Sequence, residues 1–195
     1  MKTERPQNQG LYRQEFEHEN CGIGFVAHLK GKKSHSIISK GLEILTNMTH
    51  RGAEGADSKT GDGAGVMIQV PRDFYLIQGY SLPPAGQFGT GLLFLPQDGD
   101  AAEKCRQILL NIIKEEGVDF IGFREVPRDN QVIGQLSRDA EPYIQQILLG
   151  SELSQDELEC KLYIIRKRAE NEIRNSDIRQ KSFFYIPSLS TKVLI

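Results

Sequence analysis

Apolar residues recur along this chain with two different periods, and the alternation of the two sets its outline. Residues 37, 38, 42, 44, 45 and 48 are Ile, Ile, Leu, Ile, Leu and Met. This spacing predicts a helix from a cap at Ser34 to about Met48, with those side chains on its buried face. Gly41 lies inside it, where glycine weakens a helix, so close packing is expected there. Residues 101–116 show the same period, with Ile108, Leu109, Ile112 and Ile113 inward and Gly117 as the stop. Shorter apolar runs read as strands: 22–29, 66–70 up to Pro71, 90–95 up to Pro96, 118–126, 182–186 and 192–195. The glycines in 22–29 run against strand propensity and suggest close approach of the backbone to another group. Residues 143–149 read as a short helix, and 162–165 as a strand with a helical alternative. The charged residues 166–174 read as a solvated face. The whole predicts an α/β or α+β domain without internal repeats.

Composition narrows the class. The chain has 195 residues, a net charge of -2, 38% hydrophobic and 26% charged residues, which suits one soluble domain with a real core. No basic excess points to nucleic acid, and no apolar run approaches a membrane span. The first 20 residues carry charges of both signs and no apolar core, so they are neither a secretory signal nor a transit peptide. They read as a flexible leader, and the cytoplasm is the expected compartment. Three widely spaced cysteines, Cys21, Cys105 and Cys160, without a CxxC, fit neither a disulfide framework nor an iron–sulfur or zinc motif.

Two places could carry chemistry. Cys21 stands where the leader meets the Gly-rich run. A cysteine is usually a small buried apolar residue. If the chain is cut after Asn20, however, Cys21 gains a free α-amine with a reference pKa of about 7.7–8. Nucleophile and base then sit on one residue, and Gly22 and Gly24 would let a substrate approach. The second place is 49–65, with five glycines. It lacks the P-loop pattern, and Gly61, Gly63 and Gly65 do not reproduce the dinucleotide fingerprint. Arg51 within it is either a solvated residue at a helix end or a guanidinium that clamps substrate beside the nucleophile. His18 and Cys21 form at most half of a metal site. Cys105, Cys160, His28 and His50 read as structural.

The runs EHENCGIGFVAHLKG (Glu17–Gly31), NMTHRGAEGADSKTGDGAG (Asn47–Gly65), KLYIIRKRAE (Lys161–Glu170) and FYIPSLSTK (Phe184–Lys192) occur in the order found in one family. They resemble the start of the glutamate synthase large subunit, its class II glutamine amidotransferase domain. HRGA-x-GAD-x-x-TGDGAG is a long and specific pattern. The resemblance implies an α+β N-terminal-nucleophile fold, an αββα sandwich, with residues 1–20 as propeptide and 21–195 as the N-terminal part of the domain. It implies Cys21 as the catalytic nucleophile, forming a thioester with glutamine, and Arg51 as a substrate-binding residue. For the full-length parent it implies FMN and an iron–sulfur cluster, ammonia delivery to 2-oxoglutarate, and partners in the rest of the large subunit and a small subunit.

The family's arginine clamp for the glutamine carboxylate, its Asn-Gly oxyanion hole and its amine-binding Asp are not found within residues 1–195. That raises an alternative, a truncated non-catalytic fragment, because one oxyanion donor is worth about 10²–10³ in rate. A further alternative is another class II amidotransferase, acting in amidophosphoribosyl or glucosamine synthesis. The TGDGAG run and the length of the leader favour glutamate synthase.

Overall fold

Residues 22–49, 59–61 and 63–195 are described by the computed structural model, which divides into two units, Met1–Ala64 and Gly65–Ile195. The expectations placed on Cys21, His18, His50, Arg51 and the leader lie outside the described residues.

In the first unit, helix α1 spans His35–Asn47, as its apolar spacing predicts. Ser34 occupies the N-cap position in an extended conformation, but its hydroxyl pairs with that of Ser36 at 2.8 Å rather than with a helix N–H. No residue of α1 is fully buried, and Leu42 is half exposed. Among the described residues nothing lies within 4 Å of where a Cβ on partly buried Gly41 would stand, which corrects the close packing expected there.

Residues 22–29 are also corrected. They form no strand, and Ile23 (94%) and Phe25 (88%) are almost fully exposed. A strand needs a neighbour to take its backbone groups, and among the described residues none pairs with this run. The run ends in a turn, where Gly31 N donates to His28 O at 2.8 Å.

In the second unit, pairing over long sequence distances builds a four-stranded antiparallel sheet. Its strands are β2 (Phe88–Leu95), β3 (Asp119–Glu125), β4 (Tyr143–Gly150) and β5 (Leu189–Ser190), in the spatial order β3-β4-β2-β5. A small separate ladder pairs β1 (Ile68–Gln69) with β6 (Val193–Leu194). The short helical reading of 143–149 is thus overturned: this run is an inner strand, bonded to β2 along its whole length and to β3 on its other side. Its alternation decides the matter. Ile147 and Leu149 face one core while Gln146 and Leu148 face the other, so both sides are buried.

Two long helices cover one face of the sheet. α3 (Gly99–Glu115) is capped by Asp98, whose carboxylate accepts from Ala101 N at 2.8 Å. Gly117, at φ 69°, turns the chain out of it. α5 (Gln155–Asn175) opens with a capping box between Ser154 and Glu157. The strand expected at 162–165 is therefore part of a helix, with Leu158, Leu162, Ile165, Ala169 and Ile173 as its buried stripe. These pack with Leu109, Ile112 and Ile113 of α3 against Leu93, Leu95, Ile147 and Leu149 of the sheet. Ile108, expected inward, is only partly buried. Lys161 and Arg168 of α5 meet Glu116 at 2.9 and 2.6 Å, and Arg168 also pairs with Glu115. The cluster 166–174 thus ties the helices together as well as facing water.

The opposite face carries α2 (Arg72–Ile77), which the sequence pattern does not predict and whose Tyr75 packs with Val70, Phe88 and Leu148. α4 (Gln135–Asp139) is a single turn on the connection to β4. At 182–186 the expected strand is replaced by a 3-10 turn, Lys181–Phe183, followed by a single bridge between Tyr185 and Phe94.

Candidate functional site

The described residues show what surrounds Cys21 and Arg51 in sequence. A Cβ on Gly22 would stand 2.7 Å from Met48 Sδ, and one on Gly24 would stand 2.5 Å from Ile44 Cγ2. The run that follows Cys21 is therefore seated against the C-terminal half of α1. At Gly24 a Cβ would collide with the branched Ile44 side chain, whereas at Gly22 the flexible Met48 thioether would have to shift. The close approach expected from the sequence is real, but the described group that approaches is α1. Met48 also closes the helix, its N–H bonding Ile44 O and Leu45 O at 3.0 and 3.2 Å, and Thr49 Oγ1 donates to Thr46 O. Arg51 follows Met48 by three residues.

Three other sequence candidates are described. His28 is exposed, and its Nδ1 accepts from Lys30 N and Lys32 N at 3.1 and 3.4 Å. It shapes a turn. Cys105 is fully buried in α3, where burial pushes its thiol up to about 11. It stays protonated near neutrality and is a poor nucleophile. Cys160 is exposed on α5. Among the described residues no three His, Cys, Asp or Glu side chains could together hold a metal ion. No described helix is long and apolar enough to cross a membrane.

Sequence reasoning missed one buried polar group. Gln146 Nε2 donates to Tyr75 Oη at 2.6 Å and to Thr90 Oγ1 at 3.1 Å, while Thr90 Oγ1 donates to Ile147 O at 2.8 Å. Burial raises the Tyr75 phenol above its ordinary value, against the lowering effect of these bonds and of Arg124. The signal available was Gln145-Gln146 inside an apolar run. Two amides there mark a strand whose polar groups must find partners.

Comparison with known proteins gives the family. Residues 21–195 match the family model for class II glutamine amidotransferases. The chain is 39% identical to the large chain of an NADPH glutamate synthase of Bacillus subtilis, over 99% of this chain and 13% of that protein. It is 36% identical to a ferredoxin-dependent glutamate synthase of Arabidopsis thaliana, over 98% of this chain and 12% of the relative. For an NADH glutamate synthase of Schizosaccharomyces pombe the figures are 33%, 97% and 9%. The chain thus spans roughly an eighth or less of the length of these relatives. With the family model matching residues 21–195, the chain belongs to the class II glutamine amidotransferases and is similar to part of the glutamate synthases.

Proposed function

We propose that this chain carries the glutamine-hydrolysing chemistry of a glutamate synthase, with Cys21 as an N-terminal nucleophile once residues 1–20 are removed. The observation that carries the reading is the family match itself, which opens on Cys21 and leaves out all that precedes it. Arg51 takes its role from the HRG run of residues 50–52, which carries the family resemblance.

The reaction runs in two halves. The Cys21 thiol gives its proton to its own α-amine, and the thiolate attacks the side-chain carbonyl carbon of glutamine. The C–N bond breaks, the proton passes to the leaving nitrogen, and ammonia departs from a thioester. Water then adds to the thioester carbon, the C–S bond breaks, and glutamate leaves with the thiol restored. Arg51 holds the substrate side of this pocket by charge-assisted bonds. The antiparallel sheet with α3 and α5 on one face is compatible with one half of an αββα sandwich. In a longer parent the ammonia aminates 2-oxoglutarate at a site outside these residues, and FMN and the cluster belong to that site. The rest of a large subunit and a small subunit are the partners this reading implies, in the cytoplasm.

The test uses the protein isolated from its own cells and a diazoketone analogue of glutamine. Peptide mass mapping should place the label on Cys21 and nowhere else, and Cys21→Ala should remove it. Label retained after that substitution, on Cys160 for example, would remove Cys21 from the role. Arg51→Ala should weaken apparent glutamine affinity by at least about tenfold, the equivalent of 1.4 kcal/mol, while leaving reaction of the thiol with a small neutral alkylating agent unchanged.

A further inference from the structure

The run Phe184–Lys192 carries part of the family resemblance, and the chemistry proposed above leaves it unused. It contains a corner, where one length of chain leaves the four-stranded sheet through β5 and enters the two-stranded ladder through β6. Only Thr191 and Lys192 lie between the two strands. β6 pairs with β1, Ile68 against Leu194 and Gln69 against Val193, and Val70 N adds a bond to Lys192 O at 3.0 Å. A two-stranded ladder is marginal in water by itself. This one needs an outside hold.

The first turns of α5 supply it. Half-buried Glu159 accepts from Ser190 Oγ at 2.9 Å, and from both the N–H and the Oγ1 of Thr191 at 2.5 Å. Gln155 Nε2 donates to Thr191 Oγ1 at 3.0 Å. Ser190 Oγ carries the hold onward, accepting from Lys192 N at 2.9 Å and from Val193 N at 3.3 Å. Lys192 Nζ meets Asp156 at 3.1 Å, but both side chains are exposed and such a pair contributes little.

Glu159 is therefore the main fastening. Among the described residues no cation stands at ion-pair distance from it, and its carboxylate gathers three donors of the corner. Ser190 and Thr191 are buried, so losing that acceptor strands their donors away from water. A hydroxyl can rotate toward another acceptor, whereas the Thr191 N–H cannot.

The ladder leads back to the candidate site along the chain. β1 opens at Ile68, three residues beyond Gly65, the end of the glycine-rich run that contains Arg51. We infer that Glu159 is a positioning residue for the glutamine hydrolysis proposed above. By fastening the 190–192 corner it keeps β6 in register on β1, and so fixes the strand into which the Arg51 run leads. The effect on glutamine rests on that reading of Arg51; the fastening of the ladder rests on the geometry of the second unit alone.

The test applies hydrogen-exchange mass spectrometry and steady-state kinetics to the full-length protein as its own cells make it. In Glu159→Ala, residues 66–70 and 191–195 should exchange at least about tenfold faster, while 88–95 and 143–150 keep their rates. The KM for glutamine should rise at least about threefold with kcat within about twofold, and a small neutral alkylating agent should react with Cys21 as before. Glu159→Gln, whose amide oxygen can still accept from Thr191, should bring both readouts back to within about twofold of the parent protein. Unchanged exchange at 66–70, or exchange that rises equally at 88–95 and 143–150, would overturn the fastening and the inference with it. A ladder that opens while KM stays put would leave Glu159 a structural residue and overturn its positioning role. Loss of the Cys21 assignment would instead show as diazoketone label retained in Cys21→Ala, with the exchange contrast still standing, so the two failures are told apart.

Discussion

The two units of this chain contain equally convincing apolar patterns and use them very differently. In Met1–Ala64, the helix α1 and the run 22–29 carry Ile, Leu, Val and Phe at good spacing, yet no described residue of either is fully buried. In Gly65–Ile195, similar residues in β2, β4, α3 and α5 are removed from water almost completely. The difference lies in long-range pairing. β2 and β4 meet across about fifty to sixty residues of sequence, and each pairing brings in another apolar face. Periodicity tells which side of an element wants to be buried; it does not provide the surface that buries it.

The largest effects should therefore fall in the second unit. Leu162→Ala empties a fully buried position between α5 and the sheet and should cost about 2–5 kcal/mol in denaturant unfolding. Phe25→Ala, in the first unit, removes a larger side chain but should change stability by no more than about 0.5 kcal/mol, because the ring is already in water. A comparable loss from both would erase the contrast. Gly91→Ala comes next. Its Cβ would lie 2.2 Å from the Ser188 carbonyl oxygen, a backbone atom that cannot swing aside, and overpacking of this kind costs about 1–3 kcal/mol.

Acid should weaken the second unit in a specific way. Hydrogen bonds from Lys161 and Arg168 hold the Glu116 carboxyl below its ordinary range. A depressed folded-state value means stability that is fully present above the unfolded value of about 4.3 and is lost as pH falls through the folded one. Unfolding free energy measured between pH 5 and pH 3 should fall, and should fall less in Glu116→Gln. The smallest effect has the opposite sign. Gly41→Ala enters open space in the middle of α1 and should stabilise that helix by about 0.5–1 kcal/mol, read by amide hydrogen exchange.

The helices with uninterrupted spacing, α1 and α3, were legible almost to the residue, because capping and period are local. β4 was not. YIQQILL has too few residues to separate a buried strand from a helix by spacing, and its identity comes from neighbours on both sides. α2 is too short to show a period at all. The charged half of α5 pairs partly within the helix, Arg166 and Lys167 with Glu170, and partly with the end of α3 through Arg168. For the candidate site, Cys21 and Arg51 were legible only through a motif. Chemistry resides in residue types at fixed spacing, and these two positions lie outside the described residues. The glycines beside Cys21 were legible as a close approach, although the group that approaches is Met48 and Ile44 of α1.

The central claim is that Cys21 acts as an N-terminal residue. The most direct measurement is the N-terminal peptide mass of the protein purified from its own cells. A peptide beginning at Cys21 with a free α-amine is the result this account predicts. A peptide that still carries Met1, or any residue ahead of Cys21, in protein that hydrolyses glutamine would contradict it.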